Sequence, residues 1–122
     1  MKRNTAQLKE QLIQTGIDEI GKHGIEKLSL RTIAKACGVT HGTPYRHFES
    51  KEGYLKVVLA RLSLFLNQEI NESIDATGSA RDQLTQLGLN FIIFAKTYPY
   101  FFEALFIKFP FKYMRSEERR VG

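Results

Sequence analysis

The run Ile33-Ala34-Lys35-Ala36-Cys37-Gly38-Val39-Thr40 constrains this chain more than any other stretch. Leu30, Ile33, Ala34 and Cys37 fall on one helical face, and Ser29 stands where a cap for that short helix belongs. The helix should run to about Cys37 and stop at Gly38, because a tight turn there needs positive φ, which glycine tolerates. Thr40 is the expected cap of a third short helix, His41 to Phe48. Two short helices joined by about three residues with a glycine in the turn have the geometry of a helix-turn-helix. Such helices cross steeply, so the residue at the crossing must be small, and Ala34 meets that need. Val39 then plugs the angle between the helices, with Ile33 and Phe48 closing the core. The same spacing also suits a generic helical hairpin.

The rest of the chain reads as helix throughout. Leu8, Leu12, Ile13, Ile17 and Ile20 keep one apolar stripe from about Thr5 to His23, and Gly24 follows as a C-terminal stop. Residues 1–5 are polar and basic and are expected to fray. Gly16 and Gly21 inside this helix each cost about 1 kcal/mol relative to Ala. Gly16 is read either as room for a neighbouring helix or as simple tolerance. Ser50 is a cap for a long fourth helix, in which Leu55, Val58, Leu62, Phe65, Leu66, Ile70 and Ile74 keep the repeat. Asp75 to Ser79 is a linker, and Ser79 with Asp82 resembles a capping box for a fifth helix. That helix has a broad apolar face of Leu84, Leu87, Gly88, Phe91, Phe94, Ala95 and Tyr98. Pro99 breaks it or starts the next, and residues 100–109 look helical and aromatic. No segment alternates with period two, so the fold class expected is all-α.

Charge is uneven. Up to Lys56 there are ten Lys and Arg against six Asp and Glu, which leaves +4 of the net +5 in the first half. That suits a phosphate-binding surface without requiring one. Cys37 is the only cysteine, so there is neither a disulfide framework nor a metal set, and a small buried apolar role is expected of it. The N-terminus has no apolar secretory core, and no apolar run approaches the ~20 residues of a membrane span. A cytoplasmic protein without a membrane partner is the expectation. No spacing of Ser, His and carboxylates suggests a triad and no glycine-rich phosphate loop occurs, so neither an enzyme nor a cofactor is expected.

The third helix carries the chemistry. Thr40-His41-Gly42-Thr43-Pro44-Tyr45-Arg46-His47-Phe48 spends a short helix on donors, which a core helix would not do. Thr43 and Tyr45 offer hydroxyls, His47 a ring nitrogen and Arg46 a cation, the groups that phosphate oxygens accept from. Gly42 removes a side chain where backbone could approach a duplex. Lys51 adds a cation at a helix start, where its charge opposes the dipole and an external anion is a sensible partner.

Residues from about Leu12 to Leu62 resemble the TetR/AcrR family of bacterial transcriptional regulators. The resemblance is carried by Leu28-Ser29-Leu30-Arg31-Thr32-Ile33-Ala34, Gly38-Val39-Thr40, Gly42-Thr43-Pro44-Tyr45-Arg46-His47-Phe48 and Ser50-Lys51-Glu52. It implies a three-helix DNA-binding head at residues 1–50, with the start of helix four at 51–56. A partial helical effector and dimerisation domain at 57–114 and a tail at 115–122 complete the expected organisation. It also implies a homodimer on a palindromic operator in double-stranded DNA, most commonly a repressor answering to a small-molecule effector.

Residue by residue, Arg31 matches a position that reaches base edges or phosphates. Thr40 matches a recognition-helix cap and phosphate ligand. His41, Gly42 and Thr43 match positions facing the major groove. Tyr45 and His47 match phosphate donors, and Lys51 a phosphate-contacting lysine. Pro44 departs from the commoner Leu or Ile, and Gly16 sits where the family usually has Ala.

Plainer readings stand beside these. His47 suits a half-buried structural role, His41 a solvated one, and Arg46, between two contacting positions, points to solvent. The aromatics Phe91, Phe94, Tyr98, Tyr100, Phe101, Phe102, Phe106, Phe109 and Phe111 suit core or subunit packing, or one wall of an effector pocket. The chain is shorter than a typical family member. The rival to a regulator is therefore a truncated helical interaction or ligand-binding module without productive operator binding.

Overall fold

The computed structural model describes residues 3–108. Among them there is no strand, and the chain divides into two compact units, one ending at Ala60 and the other beginning at Arg61, inside the fourth helix. The tail at 115–122, Phe109 and Phe111 lie outside the described residues. No helix among the described residues is long and apolar enough to cross a membrane.

The first unit is built from α1 (Thr5–His23), α2 (Leu30–Ala36), α3 (Thr43–Phe48) and the opening of α4 (Lys51–Asn71), with one 3₁₀ turn at Ile25–Lys27. Its start is more ordered than the polar composition suggests. Asn4 Oδ1 accepts from the Gln7 N–H at 2.8 Å and Gln7 Oε1 accepts from the Asn4 N–H at 3.0 Å, a reciprocal capping box. Arg3 donates to the Cys37 carbonyl at 2.8 Å, so the expectation of a frayed start is corrected from Arg3 onward. The apolar stripe of α1 buries Leu12, Ile13 and Ile20 against Leu30, Ile33 and Ala34 of α2, together with Ile25, Leu28, Phe48, Leu55, Val58 and Leu59. Ala34 is fully buried, as a steep crossing requires.

The turn after α2 is a Schellman motif. Gly38 has φ 71°, its N–H reaches the Lys35 carbonyl at 3.1 Å, and the Val39 N–H reaches the Ala34 carbonyl at 3.0 Å. Val39 itself is half-buried. Cys37 is buried, with its sulfur 3.3 Å from the Thr15 hydroxyl.

The second unit holds the remainder of α4, α5 (Ala80–Thr97), α6 (Pro99–Glu103) and a π-helical turn at Ala104–Lys108. Helix α4 stops at Asn71, earlier than the apolar repeat to Ile74 suggests, and Ile74 closes a turn onto the Asn71 carbonyl. Asp75 accepts from both the Thr77 N–H and the Thr77 hydroxyl, making an Asx turn that also holds the Asp75 carboxyl below the usual carboxylate range. Ser79 caps α5 through the Asp82 N–H at 3.1 Å, and Pro99 opens α6 at a first-turn position that needs no N–H. The Asn90 amide, buried on α5, donates to the Ile70 carbonyl at 2.8 Å and ties α5 to the end of α4.

Candidate nucleic-acid interface

Helix α3 begins at Thr43, later than His41, and Thr40 does not cap it. The N-cap is Gly42, without a side-chain bond, and the Thr43 N–H closes a turn onto the Thr40 carbonyl at 3.0 Å. The cause lies in Pro44 and the Thr40 side chain. Proline in the first turn gives up an N–H that no cap then has to satisfy. Freed from capping, the Thr40 hydroxyl lies 3.1 Å from that of Thr43. His41 and Gly42 therefore sit in the turn before the helix, both exposed.

One face of this short helix is core and the other is not. Pro44 and Phe48 are buried, while Tyr45 is 49% exposed, Arg46 is exposed and His47 is half-buried. Thr43 is only 6% exposed, so it does not stand out as its neighbours do. Its hydroxyl accepts from the Arg46 guanidinium at 3.0 Å, one helical turn along. Thr40, Thr43 and Arg46 thus form a connected row of polar groups across the start of α3.

A second link comes from α2. The Arg31 Nε donates to Nδ1 of His41 at 3.4 Å, a long contact between exposed side chains. Arginine only donates, so in this arrangement His41 carries its proton on Nε2, which is left as a donor. The exposed Lys51 is the first residue of α4, reached through a turn in which Glu49 adopts φ 68° and the Ser50 hydroxyl accepts from the Gly53 N–H at 3.0 Å. Arg31, Thr40, His41, Gly42, Tyr45, His47 and Lys51 are all exposed or half-buried, and all lie in or next to one turn-and-helix segment. Thr43 joins them only through hydrogen bonds.

Sequence reasoning named Arg46 as a cation but set it aside as a residue pointing to solvent. The signal was present, since Thr43 and Arg46 are three apart, the spacing that brings helical side chains together. Among the described residues no group of three or more His, Cys, Asp or Glu side chains could hold a metal ion. The aromatics of the second unit pack on one another: Phe65 meets Tyr98 at 5.1 Å and Phe101 at 6.2 Å, and Phe91 meets Phe106 at 5.1 Å. A cleft beside them, lined by Glu69, Asn90, Ile93, Phe94, Thr97 and Tyr98, holds about 110 Å³, below the few hundred Å³ of ordinary ligand sites.

The model of the bacterial regulatory proteins of the tetR family matches residues 12–58, the span of α1 through the first turns of α4. Those residues belong to that family. The TetR-family head is also similar in sequence to a probable acrEF/envCD operon repressor of Escherichia coli strain K12, 40% identical over 50 residues, or 41% of this chain and 23% of that protein. An HTH-type transcriptional repressor of Mycolicibacterium smegmatis, KstR2, is 28% identical over 82 residues, 67% of this chain and 40% of that one. The matched stretches thus span well under half of these curated relatives. In fold, the chain is similar to a TetR-like transcriptional regulator from Rhodococcus sp. RHA1, with a TM-score of 0.69 at 18% identity, covering 98% of this chain and 67% of that one. The all-α architecture with its TetR-family head is the fold of the chain.

Proposed function

We propose that this chain is a sequence-specific DNA-binding transcriptional regulator, and most specifically a repressor, that sets α3 into the major groove. The observation that carries the reading is the polar, exposed side of α3 on a head whose opposite side is core. The hydrogen bonds among Arg31, His41, Thr40, Thr43 and Arg46 use only part of their donor capacity, which leaves exposed donors for an outside acceptor. Arg31, His41 and Arg46 are the base-edge candidates, since guanidinium and ring donors match purine acceptors, and Gly42 leaves room for the backbone to approach the groove. Thr40, Tyr45, His47 and Lys51 are the phosphate candidates. Thr43 contributes by holding Arg46. The acrEF/envCD and KstR2 repressors are named as repressors, which supports that sign of regulation.

The finer reading is a homodimer on a palindromic operator, with recognition helices about 34 Å apart, responding to a small molecule and acting in the cytoplasm. Apolar side chains left exposed on α5, such as Ile92 and Ile93, suit pairing through the second unit. They equally suit the rival reading, an interaction module without operator binding, and a salt titration separates the two. Binding to random-sequence duplex should weaken steeply as salt rises, because phosphate contacts release counterions. Weak binding with a flat salt response would favour the interaction module.

A further inference from the structure

Two residues of the head are poor choices taken singly. Gly16 lies in the interior of α1, where glycine weakens a helix. Tyr54 is a wholly buried phenol on α4, and a buried hydroxyl is costly unless bonded. Taken together they explain each other. The Tyr54 hydroxyl donates to the Leu12 carbonyl at 2.6 Å, a bond across 42 residues. To reach it, the phenol enters a notch that exists only because residue 16 has no side chain: a Cβ there would overlap the phenol oxygen. The same ring meets Phe48, the last residue of α3, edge-on at 5.1 Å. Burial pushes the phenol well above its ordinary titration range, so it stays a donor at any working pH.

We infer that Tyr54 is a positioning residue for the candidate DNA face. Its hydroxyl, seated in the Gly16 notch, ties α4 to α1, and its ring sets the end of α3 against both. Glycine 16 and Tyr54 act as one matched pair, and the geometry at which α3 is presented depends on the match. The inference rests on the DNA-binding reading above. Pair and reading separate cleanly by experiment, because the fit at residue 16 is a property of the folded head and duplex binding is not.

The test uses the whole chain and two probes: a random-sequence duplex, and a duplex selected by the unmodified chain from a random pool. Four proteins are compared, unmodified, Gly16→Ala, Tyr54→Leu and Gly16→Ala with Tyr54→Leu, at a temperature where circular dichroism shows each fully folded. Each single change should lower affinity for the selected duplex about tenfold while moving affinity for random duplex less than about threefold, since register and not charge is disturbed. The double variant should lose no more than either single change, because Leu leaves free the notch that the added Cβ would otherwise contest with the phenol. Tyr54→Phe, which keeps the ring and loses the bond, should fall between. Additive losses in the double variant, or equal losses on both duplexes, would overturn the positioning role. If the unmodified chain retains no duplex at all, the DNA-binding reading falls and the role falls with it. The pair would then still show as non-additive melting temperatures.

Discussion

The two units of this chain treat their apolar residues differently. In the first, the stripe on α1, the short helix α2 and the opening of α4 are sealed together, and Leu12, Ile20, Ile33, Ala34, Tyr54 and Val58 are completely or almost completely out of solvent. In the second, α5 carries more apolar residues yet buries only Asn90 and Phe94, leaving Leu84 at 70%, Ile92 at 55% and Ile93 at 58% exposed. The first unit is a finished core that can spend its outer surface on recognition. The second is held by ring-on-ring packing around Phe65 and by the Asn90 amide, with apolar surface to spare. On the proposed DNA-binding reading, a rigid support is what α3 needs, since base contacts demand that donors be held in place.

The strongest way to break that contrast is to cut into the head core. Ile33→Ala removes a fully buried side chain of α2 and should cost about 2–5 kcal/mol, read by urea unfolding. A cost below about 1 kcal/mol would mean that the head core is as loose as the exposed side of α5. Next in size is an alkaline effect confined to the head. Burial raises the Tyr54 pKa above its unfolded value of about 10, so the folded state holds that proton more tightly. The stabilising contribution is complete below about pH 10 and is lost as pH climbs toward the folded pKa. Melting temperature should therefore fall more steeply between about pH 10 and 11 in the unmodified chain than in Tyr54→Phe. Parallel curves would show that the phenol is not held as its geometry indicates.

How much of this was legible in the residues follows the same division. The helix-turn-helix was readable because small and conformational demands leave few choices: Ala34 at a crossing and Gly38 at positive φ announce themselves. Cap positions at Ser29, Ser50 and Ser79 were readable for the same local reason. The start of α3 was not, because Thr40 is a good cap by type, and it takes Pro44 in the first turn and the Thr43 hydroxyl together to send its hydroxyl elsewhere. The Gly16–Tyr54 match was only half legible: Gly16 could be read as room for a neighbouring helix, but the residue that fills it lies 38 positions away and nothing in the sequence points to it. On α5, periodicity marked Leu84 as part of a broad apolar face, but a helix that is apolar on several sides does not say which side is covered.

The proposed recognition surface gives effects of intermediate size. Arg46→Ala and Thr43→Val should each weaken binding to the selected duplex by about three- to tenfold, and together by little more than either alone, because one hydrogen bond links them. Independent losses would return Thr43 to a direct role in the groove. Lys51→Ala should weaken all duplexes alike and lower the slope of log affinity against log salt by about 1. His41→Ala should instead change which sequences are selected, and an unchanged preference would remove His41 from the base-reading set.

The smallest expected effect sharpens the contrast from the other side. Ile93→Gln on α5 replaces a side chain that is 58% exposed, so it should shift unfolding free energy by no more than about 0.5 kcal/mol. Ile33→Ala in the head also removes an isoleucine side chain, but from a site that is wholly buried. If exposed apolar area on α5 serves self-association, the same Ile93→Gln change should shift sedimentation toward the lighter species while leaving binding of one head to a half-site duplex unaltered. A change in stability without a change in association would show that α5 belongs to the core of its own unit, and that the two halves of the chain are built alike after all.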